Sequence, residues 1–319
     1  MSSGKKQHFM PAALIGQFSF ESPYSSKHLR DRLVYVRFRQ SPDIKELSAS
    51  AILKEKNFYT IQDETTGLQH DSVDNIWDEV EPFLPKMIKR LSDLYAKDVM
   101  PSDLFIYFAE FCTQLIVRNP SFNESYDSRI NSFFEYDSLE ENGLISVKDN
   151  TNASRIMEMQ RLRPLLLYSD VSILRASKHT YFINNDVGYV IGPDQVLQRA
   201  TITFPLTPDL AIQFHVNRTA DKYNIDLLKS PKKFDHHRLY AESVNQFNKS
   251  VYSLSNILIY GNRKSILTSD FPVEKNQESP YGFWYIFDQE NLLKLGRQHE
   301  LDFLSLGQDT PIFHDISEL

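Results

Sequence analysis

The chain has 319 residues, 41% of them hydrophobic and 24% charged, with a formal net charge of −7. Such a composition supports a sizeable core and excludes wholesale disorder. The acidic balance speaks against a non-specific DNA coater, which needs a basic surface to displace counterions. A lone cysteine, Cys112, excludes a disulfide scaffold and a thiolate zinc cluster alike. At the N-terminus His8, Pro11 and Gln17 interrupt the apolar residues, so no signal peptide is expected. The longest apolar stretch, Leu104 to Val117, contains Glu110, Thr113 and Gln114. It falls short of the roughly 20 residues that a membrane-spanning helix needs. The expectation is a cytoplasmic protein with no membrane contact.

Residues 31–40 alternate, Val34, Val36 and Phe38 against Tyr35, Arg37 and Arg39, which is the period of a half-buried strand. A short helix is expected between Glu46 and Lys56. A longer one starts at Asn75, with Asp78 and Glu79 at the positive end of its dipole, and runs to Leu94. Pro82 and Pro85 inside it predict a kink or a break. The next helix opens at Pro101-Ser102 and ends before Asn119-Pro120. It is apolar on most sides and should be the most buried element. Residues 119–155, rich in Ser, Asn, Asp and Glu, are a candidate flexible segment, and a third helix is expected over Asn152 to Arg163, ahead of Pro164. Short strands at hairpin spacing follow at 178–186, 188–192, 200–206 and 210–216. A long helix over 235–260 and a strand-like run from Lys264 to Thr268 come next, with aromatics at Tyr281 to Phe287 in the tail. The fold class is α+β: a helical N-terminal half packed on a small antiparallel sheet, with a long helix after the strands. Residues 1–260 form the domain and 261–319 an extension packed on it.

Several separated stretches resemble one uncharacterised bacterial family, DUF4238. They are Gln7-His8-Phe9-Met10-Pro11 with Leu14 and Phe18, the helix end Gln114 to Arg118 with Pro120, and Tyr181 to Asp186. Phe204-Pro-Leu-Thr-Pro208 with Leu210, and Asn245 or Asn248 early in a helix, complete the set. The matches run in family order over roughly Gln7 to Tyr260. One departure is that Asp186 is followed by Val187-Gly188 instead of proline, while Thr268 to Pro272 spells the family's pattern later. The resemblance implies positions and no chemistry.

The candidate catalytic set is His8, Arg118 and Asp186. His8 titrates near neutrality and suits a general base or metal ligand, or holds an ordered N-terminal arm. Arg118 ends the most apolar helix and must meet a carboxylate, a phosphate or helix-end carbonyls. Asp186 closes a strand at a turn, with Asn184 and Asn185 beside it, a setting shared by ligand-binding loops and ordinary turns. Gln114, Asn184, Asn185 and Asn245 are candidate binding residues. The adjacent His236 and His237 point apart on a helix and suit an exposed helix start. His215 and Asn217 share a strand face and read as a polar sheet surface. Cys112 reads as a packed core thiol. No glycine-rich phosphate loop, dinucleotide fingerprint or nucleophile elbow occurs.

A base, a cation and an acid together suit phosphodiester cleavage without a serine or cysteine nucleophile. The leading expectation is therefore an intracellular bacterial hydrolase, a nuclease-like effector of the kind used in phage defence. Such a set is compatible with a divalent metal and a nucleic-acid substrate. Two alternatives stay open. One is a non-catalytic sensor or binding module that uses the same cluster to hold its N-terminal arm or a ligand. The other is a protein partner docking on the aromatic tail.

Overall fold

The computed structural model describes residues 6–62, 69–70, 72–94, 99–120, 122, 147–194, 199–216, 228–268 and 271. In chain order the first half holds β1 (Lys6–His8), α1 (Ala12–Gln17), β2 (Leu33–Phe38), β3 (Ile44–Ser48), β4 (Lys54–Lys56), β5 (Ile61–Gln62), β6 (Gln69–His70), α2 (Ser72–Asp78), α3 (Leu84–Ser92) and α4 (Ser102–Arg118). The second holds α5 (Val147–Leu167), β7 (Asp170–Ala176), β8 (Asn184–Asn185), β9 (Val190–Asp194), β10 (Arg199–Thr207), β11 (Leu210–Val216), β12 (Phe234–Leu239), α6 (Ala241–Leu254), β13 (Leu258–Gly261) and α7 (Lys264–Leu267).

Helices and antiparallel sheets mix throughout. One sheet has the order β12-β7-β11-β10-β9, antiparallel except for the parallel β12–β7 pair. Another, β3-β2-β13-β8, joins strands from both halves of the chain. The N-terminal half is therefore not purely helical, since β2 and β3 contribute to this second sheet.

The α4 helix behaves as its composition requires. Pro101 precedes it, and every residue from Leu104 to Arg118 is buried except Ile106. Its flank meets the larger sheet, with Phe105 and Phe214 rings 6.4 Å apart. The two prolines break the preceding helix as expected: α2 stops at Asp78, a 3-10 turn covers Glu81–Phe83, and α3 restarts at Leu84. The core cluster runs from Phe9 to Tyr260.

Six local expectations need correction. The helix expected to start at Asn75 begins at Ser72 and ends at Asp78, and of the strand expected over 178–186 only Asn184–Asn185 is strand. Residues 46–56 are strand, 3-10 turn and strand, because β3 pairs with β2, β4 pairs with the N-terminal arm, and Leu53 takes a left-handed φ of 53°. The third helix passes through Pro164 to Leu167, drawn on by the buried residues Leu165, Leu166 and Leu167. Residues 235–260 are not one helix: β12 pairs in parallel with β7, α6 is limited to Ala241–Leu254, and the buried run Leu258–Gly261 forms β13 inside the second sheet. Residues 264–267 are helical, with Leu267 packed inward. Strand β7 has no counterpart among the expected elements. Most of the 119–155 segment, and the tail from 272 with Tyr281 to Phe287, lie outside the described residues.

Gly16 tests the packing of α1. A Cβ there would run into the main-chain oxygen of Leu29 and lie 2.6 Å from its carbonyl carbon, so the two segments would have to part. Gly16→Ala should destabilise by about 1–3 kcal/mol, the usual range for overpacking. Among the described residues a Cβ at Gly192 meets only Thr201 Oγ1, at 3.4 Å, so Gly192→Ala should leave the thermal melt nearly unchanged.

Candidate functional site

The N-terminal arm begins the site. Strand β1 pairs with β4, which turns Gln7 inward and leaves His8 half-buried. Gln7 Oε1 accepts the main-chain N–H of Tyr59 at 2.7 Å. The carbonyl of His8 accepts from Arg118 Nη2, also at 2.7 Å. Burial, then the positive charges of Lys54, Arg118 and Arg30, push the His8 imidazole down to about 4, against a main-chain bond at Ile52. It is neutral at pH 7.

Arg118 projects from the last turn of α4 into a buried aromatic box. Its Nη1 pairs with the Glu81 carboxylate, and its guanidinium carbon stands 5.1 Å from the centre of the Trp77 ring. Tyr59 donates its hydroxyl to the Arg118 carbonyl at 2.9 Å. Burial works against the charge, but Glu81 and Tyr59 more than offset it and hold the guanidinium above its ordinary range. Beside it lies a second buried arginine, outside the candidate set. Arg155 donates to the carbonyls of Val117 and Asn119 at the end of α4, bonds Asn152 Oδ1 at 3.1 Å, and faces the rings of Phe58, Tyr59 and Phe122.

Asp186 is reached through Asn119, whose Nδ2 donates to the Asp186 carbonyl at 3.0 Å. The carboxylate itself faces the turn between α6 and β13. Its oxygens accept the main-chain N–H groups of Asn256 and Leu258 at 3.0–3.3 Å. Burial raises its pKa from 3.8 to about 6, and the main-chain donors around Asn256 to Leu258 restrain the rise. Asn184 donates to the Pro205 carbonyl, and Asn185 donates to Val251 while accepting from Val187 and Gly188. Asn245 is exposed; Asn248, one turn on, is buried and bonds both Ile183 N–H and the Tyr181 carbonyl. Gln114 sits in the core, its amide 3.5 Å from Glu110, which is clamped by Arg163.

The three predicted catalytic residues therefore lie on converging segments, while the Asp186 carboxylate is turned to the main chain at Asn256 and Leu258. His8 meets Arg118 through its carbonyl, and Asp186 meets Asn119 through its carbonyl. Trp77, Tyr59, Glu81 and Arg155 complete the cluster without any sequence signal of their own.

Elsewhere, Ser172 Oγ and His215 Nε2 hydrogen-bond at 2.8 Å across β7 and β11; Asn217 lies outside the described residues. His236 and His237 fall on strand β12, not at a helix start, and His236 Nε2 accepts from Arg175 at 2.8 Å. Cys112 is buried, and burial pushes its thiol up. Among the described residues no group of three or more His, Cys, Asp and Glu could hold a metal ion, and no helix is long and apolar enough to cross a membrane.

Residues 6–273 match the family described as "Protein of unknown function (DUF4238)". No curated protein and no solved structure matches the chain.

Opposed titrations give this cluster a measurable signature. Folded Asp186 keeps its proton up to about pH 6, against 3.8 in the ordinary state. Its contribution to stability is thus present at low pH and lost as pH rises through 6, a change of about 3 kcal/mol. Folded His8 stays neutral down to about pH 4, against 6.5. Its contribution is present above pH 6.5 and lost as pH falls towards 4. Relative to wild type, His8→Ala should gain stability on going from pH 6.5 to 4, and Asp186→Asn should lose it. Chemical denaturation across that range reads both slopes.

Proposed function

We propose that this chain, which belongs to the DUF4238 family, is a binding module in which His8, Arg118 and Asp186 build the frame of a recognition site. The observation that carries this reading is the Asp186 carboxylate. It is 2% exposed and occupied by main-chain N–H groups of a neighbouring turn. A general acid must come within hydrogen-bond reach of its substrate, and this one is turned into the fold. His8 adds support. With its pKa lowered to about 4, it is a weak base at neutral pH, and its carbonyl is engaged by Arg118.

The test is a comparison of cleavage with stability. Wild type, His8→Ala and Asp186→Asn are incubated with single- and double-stranded DNA and RNA, with and without magnesium or manganese, and melted in parallel. The expected result is no cleavage by any of the three, with the melting behaviour of both variants altered. Cleavage by wild type that disappears in both variants while their melts stay unchanged would overturn the reading. It would return the nuclease-like hydrolase to first place.

A further inference from the structure

Arg118 and Trp77 form a stacked pair with an unusual property. Their side chains are nearly sealed, at 2% and 1% exposure. The terminal nitrogens of Arg118 are taken by Glu81 and by the His8 carbonyl. Among the described residues the Nε–H of Arg118 has no acceptor, and neither has the indole N–H of Trp77. A buried donor without an acceptor costs about 1–3 kcal/mol. Here two such donors belong to groups stacked 5.1 Å apart.

Around neighbouring Tyr59 the acting charges are Arg118, Arg155 and Glu81. The charged side chains acting on neighbouring His8 are Lys54, Arg118 and Arg30. Glu81 stands on the 3-10 turn between α2 and α3, and its side chain is 24% exposed. The carboxylate that neutralises Arg118 thus sits on a short turn at the solvent side, not on a rigid element behind it.

We propose that the Trp77–Arg118 pair is a binding site for an oxyanion, the carboxylate or phosphate group of a small ligand, and that Glu81 is the internal anion this ligand displaces. The proposal rests on the binding-module reading and supplies its ligand class. A neutral acceptor would not serve, because departure of Glu81 would leave a buried guanidinium uncompensated. An oxyanion replaces that charge and brings further oxygens, to which the Nε–H and the indole N–H donate. No bond is made or broken in the process.

Trp77 reports on the site. The chain has two tryptophans, so Trp284→Phe leaves Trp77 as the single indole. Its emission is followed while inorganic phosphate or acetate is titrated at constant ionic strength with sodium chloride. A saturable change with one anion and not the other identifies the ligand group as phosphate or carboxylate. Adding Glu81→Gln removes the internal competitor and should tighten apparent binding by about tenfold. Arg118→Lys, which lacks the Nε–H, should abolish saturation in a protein that still melts cooperatively. The proposal is overturned if neither anion gives a saturable change in the Trp284→Phe protein, whether or not the Glu81→Gln variant folds. It is also overturned if Arg118→Lys responds like its parent. Anion binding by a protein that also cleaves nucleic acid would keep this site and discard the binding-module reading, so the two can fail separately.

Discussion

The end of α4 buries two guanidinium groups, and the rest of the molecule is arranged around that fact. Arg118 and Arg155 are 2% and 0% exposed. An ion taken out of water costs several kcal/mol unless its donors and its charge are both met. The two arginines meet this demand differently. Arg118 takes a carboxylate from the α2–α3 turn and a carbonyl from the N-terminal arm. Arg155 takes carbonyls at the C-terminal end of α4, where the helix dipole favours a cation, and lies against three aromatic faces. Because the acceptors belong to different segments, satisfying the charges also fixes where those segments sit. The arm, the α2–α3 turn, α4 and α5 are held at one point by two side chains.

A second device works with amides. Strand β8 is two residues long, too short for a ladder to hold it in place. Side chains extend its pairing. A carboxamide carries the same donor and acceptor as a peptide unit. Asn248 uses both against Ile183 and Tyr181, as a neighbouring strand would. Asn184 reaches β10 through the Pro205 carbonyl, and Asn185 reaches α6 through Val251. Asp186, with acceptors only, suits a turn that presents N–H groups. Burial and main-chain donors then act on its proton in opposite directions, which is how the main chain alone can hold a carboxylate within the fold.

These devices explain which parts of the structure are legible in the sequence. Strand β2 and helix α4 are, because a period of two or an all-round apolar surface says directly what is buried. The β10–β11 hairpin is legible for the same reason, with Leu210, Ile212 and Phe214 on one face. The 235–260 region is not. The half-exposed residues of β12 alternate weakly, and its pairing with β7 joins strands far apart in the chain, as in Asp235 with Ser172. At the site, Arg118 is legible as a charge in need of a partner, since it ends an apolar helix. Its partner Glu81, 37 residues earlier, is not. Arg155 and Trp77 leave no trace because stacking has no spacing of its own. The carboxylate of Asp186 is legible as a strand end, but only the packing of α6 and β13 decides which way it turns.

The residues that carry the family resemblance share a trait that bears on chemistry. Gln7 binds a main-chain N–H, Arg118 a main-chain carbonyl, Asn185 three main-chain groups and Asp186 two. A side chain spent on the backbone positions chain segments, and a reactive group must be held by the fold yet face the substrate. By that criterion most of the set specifies the fold. The Trp77–Arg118 stack differs in that two donors of one stacked pair have no acceptor among the described residues. The proposed oxyanion site rests on that difference: these N–H groups stand beside Glu81, the carboxylate that the ligand is proposed to displace.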